Sequence, residues 1–253
     1  MSDFIRFETI GAVARMTLVR PEKLNAINDE MLLAMLENLR IVAATPELRV
    51  LIVSGTGRAF SAGGDIASME AMDEVGFRET IQLYMNLSRA FRELEQITIA
   101  AINGYALAGG FELALLCDIR ISADSAIFGL PDAALGLSPT SGMTWMLPRV
   151  IGYGRALHLT LSGEQFDASE AQRIGLVSSV VDVAHLDDTA QALANKIAAY
   201  PGPVAARTKA GFLGALEGDY ASAIGFEELA ELDCFRSGET QKAFVNFLKR
   251  NKG

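Results

Sequence analysis

The fold is decided by the stretch from Ile97 to Leu116, which reads ITIAAINGYALAGGFELALL. Its first six residues, Ile97–Ile102, are apolar or β-branched without interruption, which predicts a buried strand. A turn containing Gly104 follows, and the apolar run Gly109–Leu116 predicts a buried helix. A strand, a turn and a helix in this order are typical of a parallel sheet covered by helices.

A second buried strand, Val50–Ser54, lies upstream and is followed by a loop, Gly55–Asp65, that contains four glycines. Ligands of open α/β sheets bind where strands end and helices begin. A helix that starts at Gly109 also offers unpaired backbone N–H groups and the positive end of its dipole, which suit an oxygen that becomes negative during a reaction. The alternative is that both segments are tight turns in which glycine only permits a positive φ angle.

The remaining periodicities complete an α/β pattern. Phe4–Ile10 and Ala12–Val19 read as a hairpin around Gly11, and Asp29 is placed to cap a helix that ends near Ala44. The other predicted elements are a helix over Phe77–Glu95, a strand over Ile119–Ala123 and, after Thr140, helices near residues 141–150, 153–161, 169–174, 187–199, 203–216, 220–235 and 238–250. The sequence thus predicts a β/α core over residues 1–200, which carries the site, and a helical region over residues 201–253 that needs a partner surface.

Composition and charge exclude several classes of protein. The chain has 253 residues, half of them apolar, a net charge of −9 and a pI of about 4.8. An acidic surface repels phosphate backbones, so we expect no nucleic-acid partner, and the longest apolar runs are too short to span a membrane. Cys117 and Cys234 have no zinc-binding spacing with His158 and His185, which predicts no metal site and favours two reduced thiols over a disulfide. The opening MSDFIRFETIG has no apolar signal-peptide core, and we therefore expect a cytoplasmic protein.

Two carboxylates stand in apolar surroundings. Glu112 lies in the first turn of the predicted helix, and Asp132 lies in the segment FGLPDA, residues 128–133. A carboxylate in such a place is costly unless it is paired or used. Each acid alone also fits a structural role, because the helix dipole would stabilise Glu112 and Asp132 could cap a helix after the proline.

Several motifs occur together and in order along the chain. They are RPEKLNA at residues 20–26, AFSAGGDI at residues 59–66, NGYALAGGFEL at residues 103–113 continuing into CDI at 117–119, LGL at 135–137, LPR at 147–149, AF at 243–244 and KR at 249–250. Through this set the chain resembles the enoyl-CoA hydratase/isomerase (crotonase) family, from about Arg20 to Lys249. The resemblance implies an α/β fold built as a spiral of β/β/α turns. It also implies that the C-terminal helices pack on the core and on neighbouring subunits, in a homotrimer or a dimer of trimers.

The resemblance also implies a role for each matching position. The amides of Ala62 and Gly109 would bind the thioester oxygen of an acyl-CoA, and Glu112 and Asp132 would be the two catalytic acids. Coenzyme A would be part of the substrate, so no separate cofactor is expected. The residues implied to lie along the CoA moiety are Lys23, Leu24, Phe60, Asp65 and Ile66.

The chain departs from the hydratase pattern of that family in two places. The second acid position usually carries Glu in hydratases, and Asp132 is one methylene shorter, which draws the carboxylate back by about 1.5 Å and could weaken hydration. The segment SPTSGMTW, residues 138–145, resembles the version in ring-epoxide and phenylacetyl-pathway isomerases. The acid that some isomerases place near Thr140 is missing.

These observations lead to one expected function and two alternatives. We expect an enoyl-CoA hydratase in which Glu112 activates water and Asp132 assists proton delivery to the α-carbon. The first alternative is a double-bond isomerase on the same scaffold, in which one carboxylate moves a proton between carbons without water. The second is a non-catalytic relative that binds CoA or RNA. The net charge of −9 and the retained pair of acids argue against the second.

Overall fold

The computed structural model describes residues 3–250 of the chain, and this part forms ten strands and eleven α-helices. In chain order the strands are β1 (Ile5–Ile10), β2 (Val13–Leu18), β3 (Val50–Gly55), β4 (Ala59–Ser61), β5 (Ile97–Ile102), β6 (Tyr105–Leu107), β7 (Ile119–Ala123), β8 (Ile127–Gly129), β9 (Phe166–Asp167) and β10 (Ser179–Val181). The helices are α1 (Asp29–Ala43), α2 (Ile66–Met69), α3 (Glu74–Glu93), α4 (Gly109–Leu116), α5 (Met143–Ile151), α6 (Tyr153–Ser162), α7 (Ala168–Arg173), α8 (Leu186–Ala198), α9 (Val204–Ala215), α10 (Tyr220–Arg236) and α11 (Glu239–Arg250).

The larger sheet has six strands in the order β1-β2-β3-β5-β7-β10. Strands β1 and β2 form the predicted antiparallel hairpin, which turns at Gly11 with a φ of 59°. Every other pair in this sheet is parallel, with Val50 opposite Ile97 between β3 and β5. The parallel pairing predicted from alternating strands and helices is therefore confirmed.

A smaller sheet in the order β4-β6-β8-β9 lies beside the first. The turns that begin at β3, β5 and β7 each add one strand to each sheet and then a helix, so β3, β4 and α3 form one turn and β5, β6 and α4 form the next. The expected spiral of β/β/α turns is confirmed by this alternation. Since β4 pairs in parallel with β6, the segments that follow these two strands lie side by side.

Apolar side chains fill both faces of the larger sheet. Along β3, Leu51 and Val53 belong to the main core, whereas Val50 and Ile52 face a second cluster under α8. Helix α4 is buried along its whole length after Gly109. Each large side chain buried in this way contributes about 1.5–3 kcal/mol, which explains why β3 and β5 read as uninterrupted apolar runs.

Several local predictions differ from the structure. The loop predicted over Gly55–Asp65 contains β4, which is too short at three residues to show a periodicity. Helix α1 is capped by the side chain of Asn28, which accepts a hydrogen bond from Met31 N, and not by Asp29. Helix α3 begins three residues before the predicted Phe77, because Asp73 caps it at Gly76 N. The short strands β9 and β10 interrupt the region that was predicted to be helical throughout.

The C-terminal helices α9 to α11 are present as predicted, and they expose large apolar side chains such as Phe212, Tyr220 and Phe247. Helix α9 is joined to the larger sheet through buried Lys209, whose Nζ lies 2.9 Å from Asp118 Oδ2. The division of the chain at residue 200 stays a prediction. No helix within residues 3–250 is long and apolar enough to cross a membrane.

An ion pair joins the segment after β2 to the segment after β4. Arg20 Nη1 donates to Asp65 Oδ2 at 2.6 Å and to the carbonyl oxygen of Ala26 at 2.9 Å, and both charged side chains are largely buried. Burial alone would raise the pKa of Asp65, but the hydrogen bond and the charge of Arg20 outweigh it and hold that pKa below its ordinary value. The pair therefore fixes the two segments against each other.

Removing the charge of Asp65 should destabilise the protein in a pH-dependent way. Asp65→Asn keeps the side-chain size but leaves Arg20 unpaired, so we expect the free energy of unfolding at pH 7 to fall by about 3 kcal/mol. The stability that a lowered carboxyl pKa provides is present above the unfolded pKa of about 4 and is lost as pH falls through the folded value. The difference from the parent should therefore shrink at pH 3, as measured by urea unfolding.

The exposed pair of Glu74 with Arg78 provides the control. Glu74→Gln should change stability by less than about 1 kcal/mol, since exposed ion pairs contribute little. An Asp65→Asn protein as stable as the parent at pH 7 would contradict a structural role for the pair.

Candidate functional site

Two glycine segments meet where β4 and β6 end. Ile27 N donates to the Gly63 carbonyl oxygen at 2.7 Å, and Asp65 N donates to the Ile27 carbonyl oxygen at 2.8 Å. The Gly63 carbonyl and the Gly64 amide belong to one trans peptide group, in which C=O and N–H point in opposite directions, so the amide of Gly64 points away from Ile27. A Cβ atom built on Gly109 would lie only 3.5 Å from Gly64 N, so the backbones of Gly64 and Gly109 face each other.

Helix α4 begins at Gly109 after an unusual backbone turn. Ala108 has a φ of 48° and a ψ of −125°, a region that non-glycine residues seldom occupy. Its amide donates to the carbonyl oxygen of Gly129 at 3.0 Å, and its carbonyl accepts from Glu112 N at 3.0 Å. The helix itself offers no acceptor to its first amide, Gly109 N–H, and the positive end of the helix dipole lies there. Backbone strain of this kind clusters at functional sites.

The structure corrects one of the two predicted oxyanion donors. The amide of Ala62 donates to the carbonyl oxygen of Leu24 at 2.9 Å, so it is not free to bind a substrate. Gly64, two residues later, is the residue that faces Gly109. The prediction of Ala62 was therefore wrong, because the bridge to Ile27 decides which peptide group points into the site. Gly64 and Gly109 together could stabilise an oxygen that acquires negative charge.

Glu112 is a buried acid whose two oxygens are both bound by Thr140. Its side chain lies in the first turn of α4 and is 4% exposed. Thr140 N donates to Oε1 at 2.7 Å, and Thr140 Oγ1 donates to Oε2 at 2.6 Å. Burial raises the pKa of Glu112 above its ordinary value. The bonds from Thr140 and the hydroxyl of Ser141 oppose the shift without cancelling it, and the charge of Asp132 adds to it. The carboxylate is therefore oriented and is poised to exchange a proton closer to neutral pH.

Asp132 lies in a short 3-10 helix, Pro131–Leu135, whose cap residue is Leu130. Asp132 therefore does not cap this helix, although a helix cap was the structural role that the sequence allowed for it. The side chain is half-buried, and burial raises the pKa of Asp132. Within residues 3–250 no other side chain forms an ion pair or a hydrogen bond with its carboxylate. Since its charge also raises the pKa of Glu112, the structure brings the two predicted acids within electrostatic reach of each other.

Two residues that organise this site were not singled out from the sequence as site residues. Thr140 was noted only as a position where some isomerases carry an acid, yet it binds both oxygens of Glu112. Its turn is fixed by Ser88 on α3, whose Oγ donates to the Ser141 carbonyl oxygen at 2.8 Å. Buried Asn25 donates to the carbonyl oxygens of Thr56 and Ala59 at 2.9 and 2.7 Å. Asn25 has a φ of 54°, and the available signal was the residue type, since asparagine tolerates a positive φ better than most residues.

The residues predicted to lie along CoA divide into two groups. Lys23 and Ile66 are exposed, and Leu24 is half-buried beside the loop that carries Gly64, so all three can meet a ligand at the surface. Phe60 is fully buried in the core, and its side chain cannot touch a ligand, which corrects that prediction. Asp65 is engaged in the ion pair described above.

The chain is similar to known proteins over most or nearly all of its length. The family profile described as "Enoyl-CoA hydratase/isomerase" matches residues 8–253. The "Short-chain-enoyl-CoA hydratase" of Clostridium acetobutylicum is 37% identical over 247 residues, which cover 97% of this chain and 94% of that protein. The "1,2-epoxyphenylacetyl-CoA isomerase" of Escherichia coli is 40% identical over 206 residues, 79% of this chain and 78% of that protein. The crystal structure of an enoyl-CoA hydratase from Bacillus anthracis matches with a TM-score of 0.94 at 32% identity and covers 98% of this chain and 97% of that one.

Removing the hydroxyl of Thr140 should raise the pKa of Glu112 further. Thr140→Val keeps the backbone donor to Oε1 but loses the hydrogen bond to Oε2, which favours the ionised form. The pKa can be followed by ¹³C NMR of protein labelled at the glutamate carboxyl carbon, with Glu112→Gln to assign the signal. Thr140→Ser should retain the parental pKa. An unchanged pKa in Thr140→Val would mean that the hydroxyl does not support the carboxylate.

Proposed function

The chain belongs to the enoyl-CoA hydratase/isomerase family, and we propose that it adds water across the 2,3 double bond of an enoyl-CoA thioester. One observation carries this proposal: two carboxyl groups with raised pKa values lie in reach of each other, one of them a single helical turn from Gly109. Addition of water needs both removal and delivery of a proton, and two such groups can share these tasks near neutral pH.

The proposed position of the thioester oxygen is between the amides of Gly64 and Gly109. When water adds to the β-carbon, electrons of the double bond move toward the carbonyl and the oxygen gains negative charge. Both amides are parts of the backbone and need no rearrangement to stabilise that charge. The facing geometry of these two residues supports this arrangement.

The surroundings of the two acids support different roles for them. Thr140 gives Glu112 two hydrogen bonds, which favour its ionised form and suit a base that takes a proton from the attacking water. Asp132 has no such donor from another side chain, so its burial favours the protonated form and suits an acid that delivers a proton to the α-carbon. After the reaction Glu112 is protonated and Asp132 ionised, and exchange with solvent restores both.

The proposed function also specifies the substrate. Coenzyme A enters as part of the acyl-CoA substrate, with Lys23 and Ile66 exposed to meet it and no separate cofactor in the reaction.

The chain is proposed to form a homotrimer or a dimer of trimers through α9 to α11, since Phe212 and Tyr220 there are 73% and 81% exposed. An apolar cavity of about 840 Å³ beside α9 belongs to this region, and neither acid lines it. A cytoplasmic location is supported by two free thiols, Cys117 and Cys234.

Double-bond isomerisation is the second candidate, and two observations favour it. The shorter side chain of Asp132 lies on a 3-10 helix, at the position where the family's hydratases usually carry Glu. The relative named "1,2-epoxyphenylacetyl-CoA isomerase" is also 40% identical over 79% of the chain. In that reaction one carboxylate would remove a proton from one carbon and return it to another, and the second acid would be dispensable.

Replacing each acid should separate the two reactions. We expect both Glu112→Gln and Asp132→Asn to lower kcat by about 10²–10⁴-fold on a short trans-2-enoyl-CoA, because hydration uses both groups. Product mass, with ¹⁸O-labelled water, reports whether water is added. If Glu112→Gln turns over at nearly the parental rate without incorporating ¹⁸O, the hydratase proposal is wrong and the reaction is an isomerisation with Asp132 as the base.

A side chain at Gly109 should block the proposed oxyanion position. The added Cβ of Gly109→Ala would make only ordinary contacts, 3.4 Å to Tyr84 and 3.5 Å to Gly64 N, so the variant should fold. It would occupy the space between the two amides, and we expect kcat to fall by at least about 10²-fold. Gly154→Ala on α6, where a Cβ meets nothing within 4 Å, is the matched control. A folded and fully active Gly109→Ala enzyme would place the carbonyl elsewhere.

A further inference from the structure

Tyr84 on α3 is a buried tyrosine that the proposed reaction has not used. The residue is 7% exposed, and its hydroxyl has no hydrogen-bond partner within residues 3–250. A buried hydroxyl that is left unpaired is costly, and tyrosine hydroxyls usually find a partner when they are buried. Phenylalanine would fill the same space without this cost, so the hydroxyl needs an explanation beyond packing.

The hydroxyl lies beside the two facing glycines. A Cβ atom on Gly109 would be 3.4 Å from Tyr84 Oη and 3.5 Å from Gly64 N. By standard bond lengths and angles, that same point is about 2.5 Å from the nitrogen of Gly109 itself. A Cβ on Gly64 would also lie 3.4 Å from the hydroxyl. The phenol oxygen and the two amide nitrogens therefore surround one small volume.

We propose that Tyr84 is a third oxyanion donor, a catalytic residue whose O–H group donates a hydrogen bond to the thioester oxygen between Gly64 and Gly109. This inference rests on the proposed function only in that an acyl-CoA thioester binds at these glycines. The donor forms no covalent bond and transfers no proton. It stabilises the oxygen most strongly when that oxygen carries the negative charge of the enolate.

The ionisation of Tyr84 is consistent with a donor. Burial raises the pKa of the phenol well above its ordinary value, and the charges of Glu112, Asp29, Asp132 and Asp65 raise it further. The phenol therefore keeps its proton while the two catalytic acids titrate. Ser88, one helical turn later on α3, holds the Thr140 turn, so the same helix supports the base and supplies the donor.

Tyr84→Phe removes only the hydroxyl and is the variant that tests the proposal. Because the hydroxyl has no partner in the described protein, the variant should melt no lower than the parent. We expect kcat on crotonyl-CoA to fall by about 10–10²-fold with KM changed by less than about threefold, since the hydrogen bond is strongest in the transition state. Tyr153→Phe, at a position on α6 that is 72% exposed, is the control and should match the parent.

The decisive measurement does not need turnover. Butyryl-CoA labelled with ¹³C at the thioester carbon cannot add water, and its C=O stretching frequency falls with each hydrogen bond to the oxygen. We expect the band of the bound thioester to move to higher frequency in Tyr84→Phe than in the parent. If the parent adds no water to crotonyl-CoA but the band still moves, the hydratase proposal fails and the third donor stands. If the parent hydrates crotonyl-CoA and both the band and kcat are unchanged in Tyr84→Phe, the third donor is wrong.

Discussion

The structure depends on a close approach between two backbones, the segment around β4 and the segment around β6. A Cβ on Gly104 would overlap the carbonyl oxygen of Arg58, and one on Gly110 would overlap the carbonyl oxygen of Ser61. Only glycine permits this distance, because every other residue carries a Cβ. The approach lets β4 pair with β6, and that pairing brings Gly64 to Gly109. The glycines of the motif are therefore first a packing requirement between turns of the spiral, and the site is its consequence.

The close approach of these two backbones also places charged and polar groups where water is scarce. Helix α4 is buried from its second residue onward, so Glu112 loses its solvation and depends on the hydrogen bonds that Thr140 donates to its two oxygens. Asp132 is less buried and lacks such donors, and Tyr84 has no partner at all in the described protein. A fold that only maximised stability would avoid all three. Their concentration beside two unpaired amides is the expected result of selection for chemistry on a charged intermediate.

The different protonation proposed for Glu112 and Asp132 shows how one scaffold can serve several reactions. In the proposed reaction, the spiral and the two glycines determine where the thioester oxygen lies, whereas the protonation of the nearby acids decides which proton moves. A turn such as that at Thr140, which lies outside the spiral strands, can change this protonation without altering the sheets. The similarity to both a hydratase and an isomerase is understandable on this basis.

The sequence by itself determined the long elements and the class of chemistry. Apolar runs predicted β3, β5 and α4, periodicity predicted the C-terminal helices, and the glycine motifs located both site segments. Helix α4 in particular begins and ends where its sequence predicts, at Gly109 and Leu116. These features are local, since burial on both faces and helical periodicity are written in neighbouring residues. The prediction of the spiral came from the resemblance to a family and not from periodicity.

Only the tertiary structure decided which groups face the site. Ala62 and Gly64 belong to the same motif, and the bridge to Ile27 leaves the second amide free while Leu24 binds the first. Phe60 turns inward to the core, and Thr140 and Tyr84 reach the site from distant parts of the chain. Regular alternation would point the amides of Ala62 and Gly64 to the same side, but Gly63 between them has a φ of 99° and interrupts the extended chain. No local pattern contains that information, because it depends on pairing between residues far apart in the sequence.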